Sequence, residues 1–241
     1  MQLMERKSNE IEAVMMSLQN PAQVDYLSRF FKTGPGQYGE GDKFLGIKVP
    51  QTREVVRTCW KGCTLQDVEP LLESQYHEIR MCSLFILVKL FAQARRNPAE
   101  QGRIVDFYLA HTQYINNWDL VDLSCHEIVG RWLLDKDRTL LYDLARGGKT
   151  IWEQRIAIVS CLAFIREGQV DDAFAIADIL LHHEHDLIQK AVGWLLREAG
   201  KRDGRALRDF LAPRCGTMPR TMLRYAIEKF PEEERQRYLK G

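Results

Sequence analysis

A polar side chain returns at nearly constant spacing within five apolar stretches of this 241-residue chain: "YHEIRMCSLFIL", "NWDLVDLSCHEIV", "IWEQRIAIVSCLAFI", "DLIQKAVGWLL" and "RTMLRYAIEKF". Set in one register, they place Arg80, Asp122, Arg155, Lys190 and Arg224 just inside the start of an apolar run. The intervals between them are 42, 33, 35 and 34 residues. A chain with such a period cannot bury each unit alone, so successive units must stack and share a core.

Local signals say what the units are. Apolar residues recur three and four apart, and strand patterns are scarce. Thr150-Ile-Trp-Glu153 reads as a capping box, Asp186 with Gln189 plays a similar part, and Pro98, Gly147, Gly148 and Gly200 break helices. The expectation is an all-α fold: HEAT-like helical repeats stacked as a solenoid, one domain over 1–241. The five polar side chains would stand on equivalent helices and line a concave cationic groove.

The net charge of +1 creates no global field, so a polyanionic partner must be held by a local patch. One candidate is the segment 197–224, where eight Lys and Arg stand against three acids, +5 in all, leaving −4 for the rest. No apolar run approaches the roughly 18 residues that span a bilayer. The N-terminus lacks the apolar core of a signal peptide. The six cysteines sit mostly within apolar helical runs, where a thiol is a small hydrophobe, so reduced thiols and a cytoplasmic location are expected.

Two helix faces carry the functional signal. In 186–201, Ile188, Val192, Leu195, Leu196 and Ala199 make a core stripe, while Lys190, Trp194, Arg197 and Lys201 fall on the opposite side. Either Trp194 packs on the next repeat among solvated cations, or the face is a phosphate-binding ridge with a stacking ring. Arg155, the only charge between Gln154 and Ile165, either pairs with Glu153 or Asp122 or makes a bidentate phosphate contact. In "NNWDLVDLSCHEI", Trp118 begins an apolar stripe, and Asp119, Asp122 and His126 form its edge. An acid there is either a dipole-stabilising residue or a functional one. No further ligands lie in helical reach, so no metal is expected.

"NNWDLVDLS", "WEQRIAIVS", "IQKAVGWLLREAGKRD" and "FLGIKVPQTR" resemble the matching segments of the AlkD-type DNA alkylation-repair glycosylases, a likeness running from about Tyr26 to Phe230. The resemblance implies a HEAT-like fold that cradles double-stranded DNA. It implies excision of cationic alkylated purines, typically 3-methyladenine and 7-methylguanine, without a cofactor and without turning the lesion into an enclosed pocket. It implies Asp122 as the catalytic acid, with Trp118 and Trp194 lining the lesion, and Arg155, Arg197 and Tyr26 as DNA contacts. Lys190 and Lys201 join these from the ridge.

A monomer is the default for such a domain, and no lysine is placed for a lyase step. Two rival readings are a non-catalytic relative that binds branched or distorted DNA and a protein-interaction scaffold. The chain departs from the family pattern at "FKTGPGQYGEGDKFLGI", a Gly-rich insertion at about 33–46. It reads either as a flexible surface loop or as a reach of Lys32 and Lys43 toward DNA.

Overall fold

Two helices carry long apolar runs after a polar first turn, and they become the centres of the fold. In a computed structural model that describes residues 7–240, the helix His77–Gln93 is buried from His77 to Leu87, and the helix Ile151–Arg166 from Arg155 to Ile165. A run that is apolar around the whole helix has no stable place except inside. In chain order the α-helices are α1 (Lys7–Ser17), α2 (Pro21–Phe30), α3 (Val49–Cys59), α4 (Leu65–Leu72), α5 (His77–Gln93), α6 (Pro98–Ala110) and α7 (Trp118–Cys125). There follow α8 (Thr139–Gly147), α9 (Ile151–Arg166), α10 (Asp171–Ile179), α11 (Asp186–Arg202), α12 (Gly204–Leu211), α13 (Arg220–Ala226) and α14 (Glu232–Lys240). Among the described residues there is no strand, only an isolated parallel bridge between Lys43 and Tyr76.

The chain is all-α, and the sequence register holds at the level of elements. Arg80, Asp122, Arg155, Lys190 and Arg224 lie on α5, α7, α9, α11 and α13, each at the fourth or fifth helical residue. Their environments differ: Arg80 and Arg155 are buried, Asp122 and Lys190 half-buried, and Arg224 exposed.

The chain forms two compact units, divided between Ser124 and Cys125. In the first, α5 packs against α1, α3, α4 and α6. In the second, α9 packs against α8, α10 and α11, and α11 against α12 and α13. The approach of α11 to α13 is close enough to require glycine: a Cβ on Gly193 would lie 2.4 Å from the Met222 carbonyl oxygen.

The first predicted cap is present in altered form, and the second is replaced by another residue. The Thr150 side chain accepts from the Glu153 amide, but Glu153 accepts from the amide of Lys149, one residue earlier than in a capping box. At α11 the cap is His185, whose Nδ1 accepts from the Leu187 amide, while Asp186 pairs with Lys190 instead. All six cysteines are free, and Cys63, Cys82, Cys125 and Cys161 are buried.

Candidate active site

The Gly-rich insertion is exposed over most of 34–43, as a surface loop would be, but its end is fastened to the protein. Its end, Phe44 to Ile47, is buried. The Glu78 carboxylate, itself 3% exposed, accepts from the amides of Leu45 at 2.9 Å, Gly46 at 2.9 Å and Ile47 at 3.1 Å. Gly46 has a φ of 83°, and a Cβ there would meet the Asn20 carbonyl oxygen at 2.1 Å, so no other residue fits. Lys43 and Lys32 already have protein contacts: Lys43 donates to Gln75 Oε1 at 2.8 Å, and Lys32 lies over the Tyr38 ring.

Asp42, from the same insertion, enters a buried charge network. It accepts from the Arg80 guanidinium at 2.7 Å and lies 3.5 Å from His77 Nδ1, a charge contact without an aligned hydrogen bond. His77 Nε2 stands 2.8 Å from Asp119 Oδ2. Burial pulls the His77 imidazole down, but the Asp119 charge and its hydrogen bond, with Asp42 behind, prevail and push it up to about 9. Burial works against ionised Asp42 too, yet His77 and Arg80 hold its carboxyl below the usual range. Two cations and two carboxylates thus neutralise one another inside the first unit, the only arrangement in which such burial is tolerable.

This network stands under the start of α7. Asp119 also accepts from the Leu120 amide, Asn117 accepts from that of Trp118, and Arg80 donates to Asn116. The segment "NNWD" is therefore held by polar contacts on one side, which leaves its aromatic ring to the other. Trp118 stacks on Phe31 with centroids 5.5 Å apart and meets Phe30 edge-on at 6.0 Å. Phe30 in turn stacks on Tyr26 at 6.1 Å. Tyr26 and Phe30 are 57% and 51% exposed, unusual for rings of that size.

These rings face a cleft of about 490 Å³ in the first unit. Tyr26, Phe30, Val49, Met81, Trp118 and Asp122 are among its lining residues. The structure therefore brings Trp118, Asp122 and Tyr26 to one site. Phe30, Phe31, His77, Asp42 and Glu78 belong to the same site, and sequence reasoning had not picked them out. One signal was present: His77 precedes Asp119 by 42 residues, as Arg80 precedes Asp122, so the period itself makes the two pairs register neighbours.

The second unit changes the picture of the cationic ridge. Lys190 pairs with Asp186 at 2.8 Å, Lys201 with Glu198 at 2.7 Å, and Arg197 with Glu228. The ridge is thus a ladder of ion pairs, and not a row of open cations. Arg155, expected on a groove lining, is 5% exposed and donates to the Leu187 carbonyl. Trp194 is half-buried and lines a shallow depression with Leu162, Arg166 and Lys201. Asp119, Asp122 and His126 do not act as a ligand set, since Asp119 serves His77 and His126 Nδ1 lies 3.2 Å from Glu127. Among the described residues, one group has metal-ligand spacing, the surface cluster Glu69, Glu73 and His111.

A family model described as DNA alkylation repair enzyme matches residues 11–230. The chain belongs to this DNA alkylation repair family. A solved structure described as a predicted DNA alkylation repair enzyme from Enterococcus faecalis is similar to it, with a TM-score of 0.70 and 18% identity. The match covers 89% of this chain and 97% of that one. At such identity the likeness is one of fold. No curated protein matches the chain. As a family member, this protein has a DNA repair role, and the aromatic cleft beside Asp122 is its candidate active site.

Proposed function

We propose that this protein is a monofunctional DNA glycosylase that hydrolyses the N-glycosidic bond of cationic alkylated purines, 3-methyladenine and 7-methylguanine, in duplex DNA. The observation that carries the reading is the meeting of Trp118 and Asp122, from the Trp-Asp-x-Val-Asp string, at one aromatic-walled cleft.

A purine alkylated at N3 or N7 already bears a positive charge. When its bond to C1′ breaks, the electron pair goes to the base, which departs neutral without a general acid. The charge passes to the deoxyribose as an oxocarbenium ion, and water then adds to C1′ and loses a proton. Asp122 stabilises the sugar cation and orients the water. For unit charges about 4 Å apart at an effective dielectric near 20, the attraction is about 4 kcal/mol. That is roughly a thousandfold in rate. Trp118, one turn away on α7, keeps water from the carboxylate and strengthens its field. A neutral purine lacks the built-in leaving-group charge, and selectivity follows from that difference.

Phosphates are assigned to Lys190, Lys201 and Arg197, with Trp194 beside them, while Arg155, buried and donating to the Leu187 carbonyl, is assigned to holding the fold. Their acidic partners compete with DNA, so binding is expected to be modest and salt-sensitive. The protein works as a monomer on double-stranded DNA without a cofactor.

The test is incubation with methylated duplex, then alkali, scoring released base and strand breaks. Release supports the glycosylase. Binding without release selects instead the non-catalytic reading, in which the site recognises distorted or branched DNA.

A further inference from the structure

The surface group Glu69, Glu73 and His111 carries a charge conflict that its protein neighbours do not relieve. Glu69 lies in the last turn of α4 and Glu73 caps it, with the Glu73 amide donating to the Glu69 carbonyl at 3.0 Å. Two carboxylates four residues apart repel, and both stand at the negative end of the helix dipole. Among the described residues neither acid forms an ion pair with a lysine or arginine.

His111, which caps α6, is the third member. Its Nδ1 lies 2.7 Å from the Phe107 carbonyl oxygen, which can only accept, so Nδ1 carries a proton. In a neutral ring Nε2 is then an acceptor, and it lies 3.4 Å from Glu69 Oε1, another acceptor. The ring is half-buried and stacked on Phe107 with centroids 4.1 Å apart, which fixes this direction. Two acceptors held face to face need a positive charge between them, either a proton or a metal ion.

Distance separates the two. A charge-assisted N–H···O bond is about 2.7–2.9 Å long. Two ligands of a tetrahedral zinc ion, each bonded at about 2.0–2.1 Å, stand roughly 3.3 Å apart. The 3.4 Å between His111 and Glu69 matches the second case. One ligand atom from each of the three side chains lies within 4.8 Å of the others, a spread that small side-chain rotations close. A metal-bound histidine also characteristically donates its other N–H to a carbonyl or carboxylate, as His111 does to Phe107.

We propose that Glu69, Glu73 and His111 bind one divalent transition-metal ion of the zinc type, through Nε2 of His111 and one carboxylate oxygen from each acid. The imidazole selects such an ion over Mg²⁺ and Ca²⁺, which take oxygen ligands. Three protein ligands leave a position for water. The ion clasps the end of α4 to the end of α6, and so steadies the segment that leads from His111 to Trp118. The site shares no residue with the aromatic cleft, and the ion takes no part in the proposed excision.

The experiment uses the full chain without an affinity tag, stripped of metal by chelation, beside the variants His111→Gln and Glu73→Gln. Competition with a zinc-binding dye gives stoichiometry and affinity, melting curves give the effect on stability, and the absorption spectrum of added Co²⁺ reports the ligand type. The wild type is expected to bind one equivalent of Zn²⁺ with micromolar affinity and to melt at a higher temperature when it does, with no rise for Mg²⁺. Zinc affinity falls about a hundredfold in His111→Gln and about tenfold in Glu73→Gln. Glu73 is exposed, so its variant melts no lower than the wild type when both are metal-free. The cobalt spectrum lacks a sulfur-to-metal charge-transfer band, which separates this site from binding by the six free cysteines.

Zinc binding of equal strength in all three proteins, or a cobalt spectrum dominated by thiolate, overturns the proposal. So does a wild type that binds no zinc, in which case a proton bridges His111 and Glu69.

Discussion

His77 Nε2 lies 2.8 Å from Asp119 Oδ2, and both side chains are buried. The pair joins the start of α5 to the start of α7, the helix that carries Trp118 and Asp122. Its strength depends on the imidazolium. The ordinary histidine value is 6.5, and in the folded protein it rises to about 9.

A folded value above the unfolded one makes a contribution that is fully present below about pH 6.5 and lost as pH rises through about 9. Its size is on the order of 3 kcal/mol. Asp42 acts in the opposite sense: its lowered value adds stability above the unfolded carboxyl range, lost as pH falls through the folded value. Urea unfolding across pH 6 to 10 is expected to show a decline on the alkaline side, and His77→Gln is expected to flatten it. A wild-type profile as flat as the variant's would show that His77 is neutral in the fold.

Asp122→Asn preserves the shape of the site and removes its charge. Excision of 7-methylguanine is expected to fall about a thousandfold, while duplex affinity stays within about twofold. Single-turnover rates with saturating enzyme measure this directly. An unchanged rate removes Asp122 from the chemistry.

Glu78→Gln leaves one acceptor where a carboxylate served three amides. A loss of about 2–3 kcal/mol is expected from charged hydrogen bonds of this kind. Hydrogen exchange should localise it, with the Leu45, Gly46 and Ile47 amides exchanging faster than the α9 core. Uniform protection across the chain would mean that Glu78 does not hold the insertion.

Lys190→Ala and Lys201→Ala are expected to weaken binding to all duplexes alike, each lowering the log–log salt slope by about 0.9. Arg155→Ala is expected to behave differently, because Arg155 is buried and serves the Leu187 carbonyl. Its main effect is a lower melting temperature, with a loss of about 1–3 kcal/mol. Titrations at several salt concentrations and a melting curve separate the two behaviours. A stable Arg155→Ala protein with a reduced salt slope would return Arg155 to the surface role that its sequence position suggested.

The helices and their register were legible in the sequence because both depend on neighbours close along the chain. An apolar residue every three or four positions defines a helix face, and a polar residue at the fourth or fifth position of alternate helices marks the repeat. Trp118 and Asp122, four apart, belong together on those grounds alone. The partners of the charges were not legible. Asp119 looked like an edge acid and is spent on His77, while Lys190, Arg197 and Lys201 looked open and each meets an acid. Arg80 and Asp42, 38 residues apart, gave no local sign of pairing.

Sequence alone therefore determined the helical class, the period and the placement of the acid and its ring on one helix. Only tertiary structure decided which charges are neutralised, that the end of the Gly-rich insertion lines a cleft, and that Phe30 and Tyr26 line it with exposed rings. The physical reason is range. Helical periodicity is written into residues three or four apart, whereas burying a charge or opening a cavity depends on side chains tens of residues away, chosen by how whole helices pack.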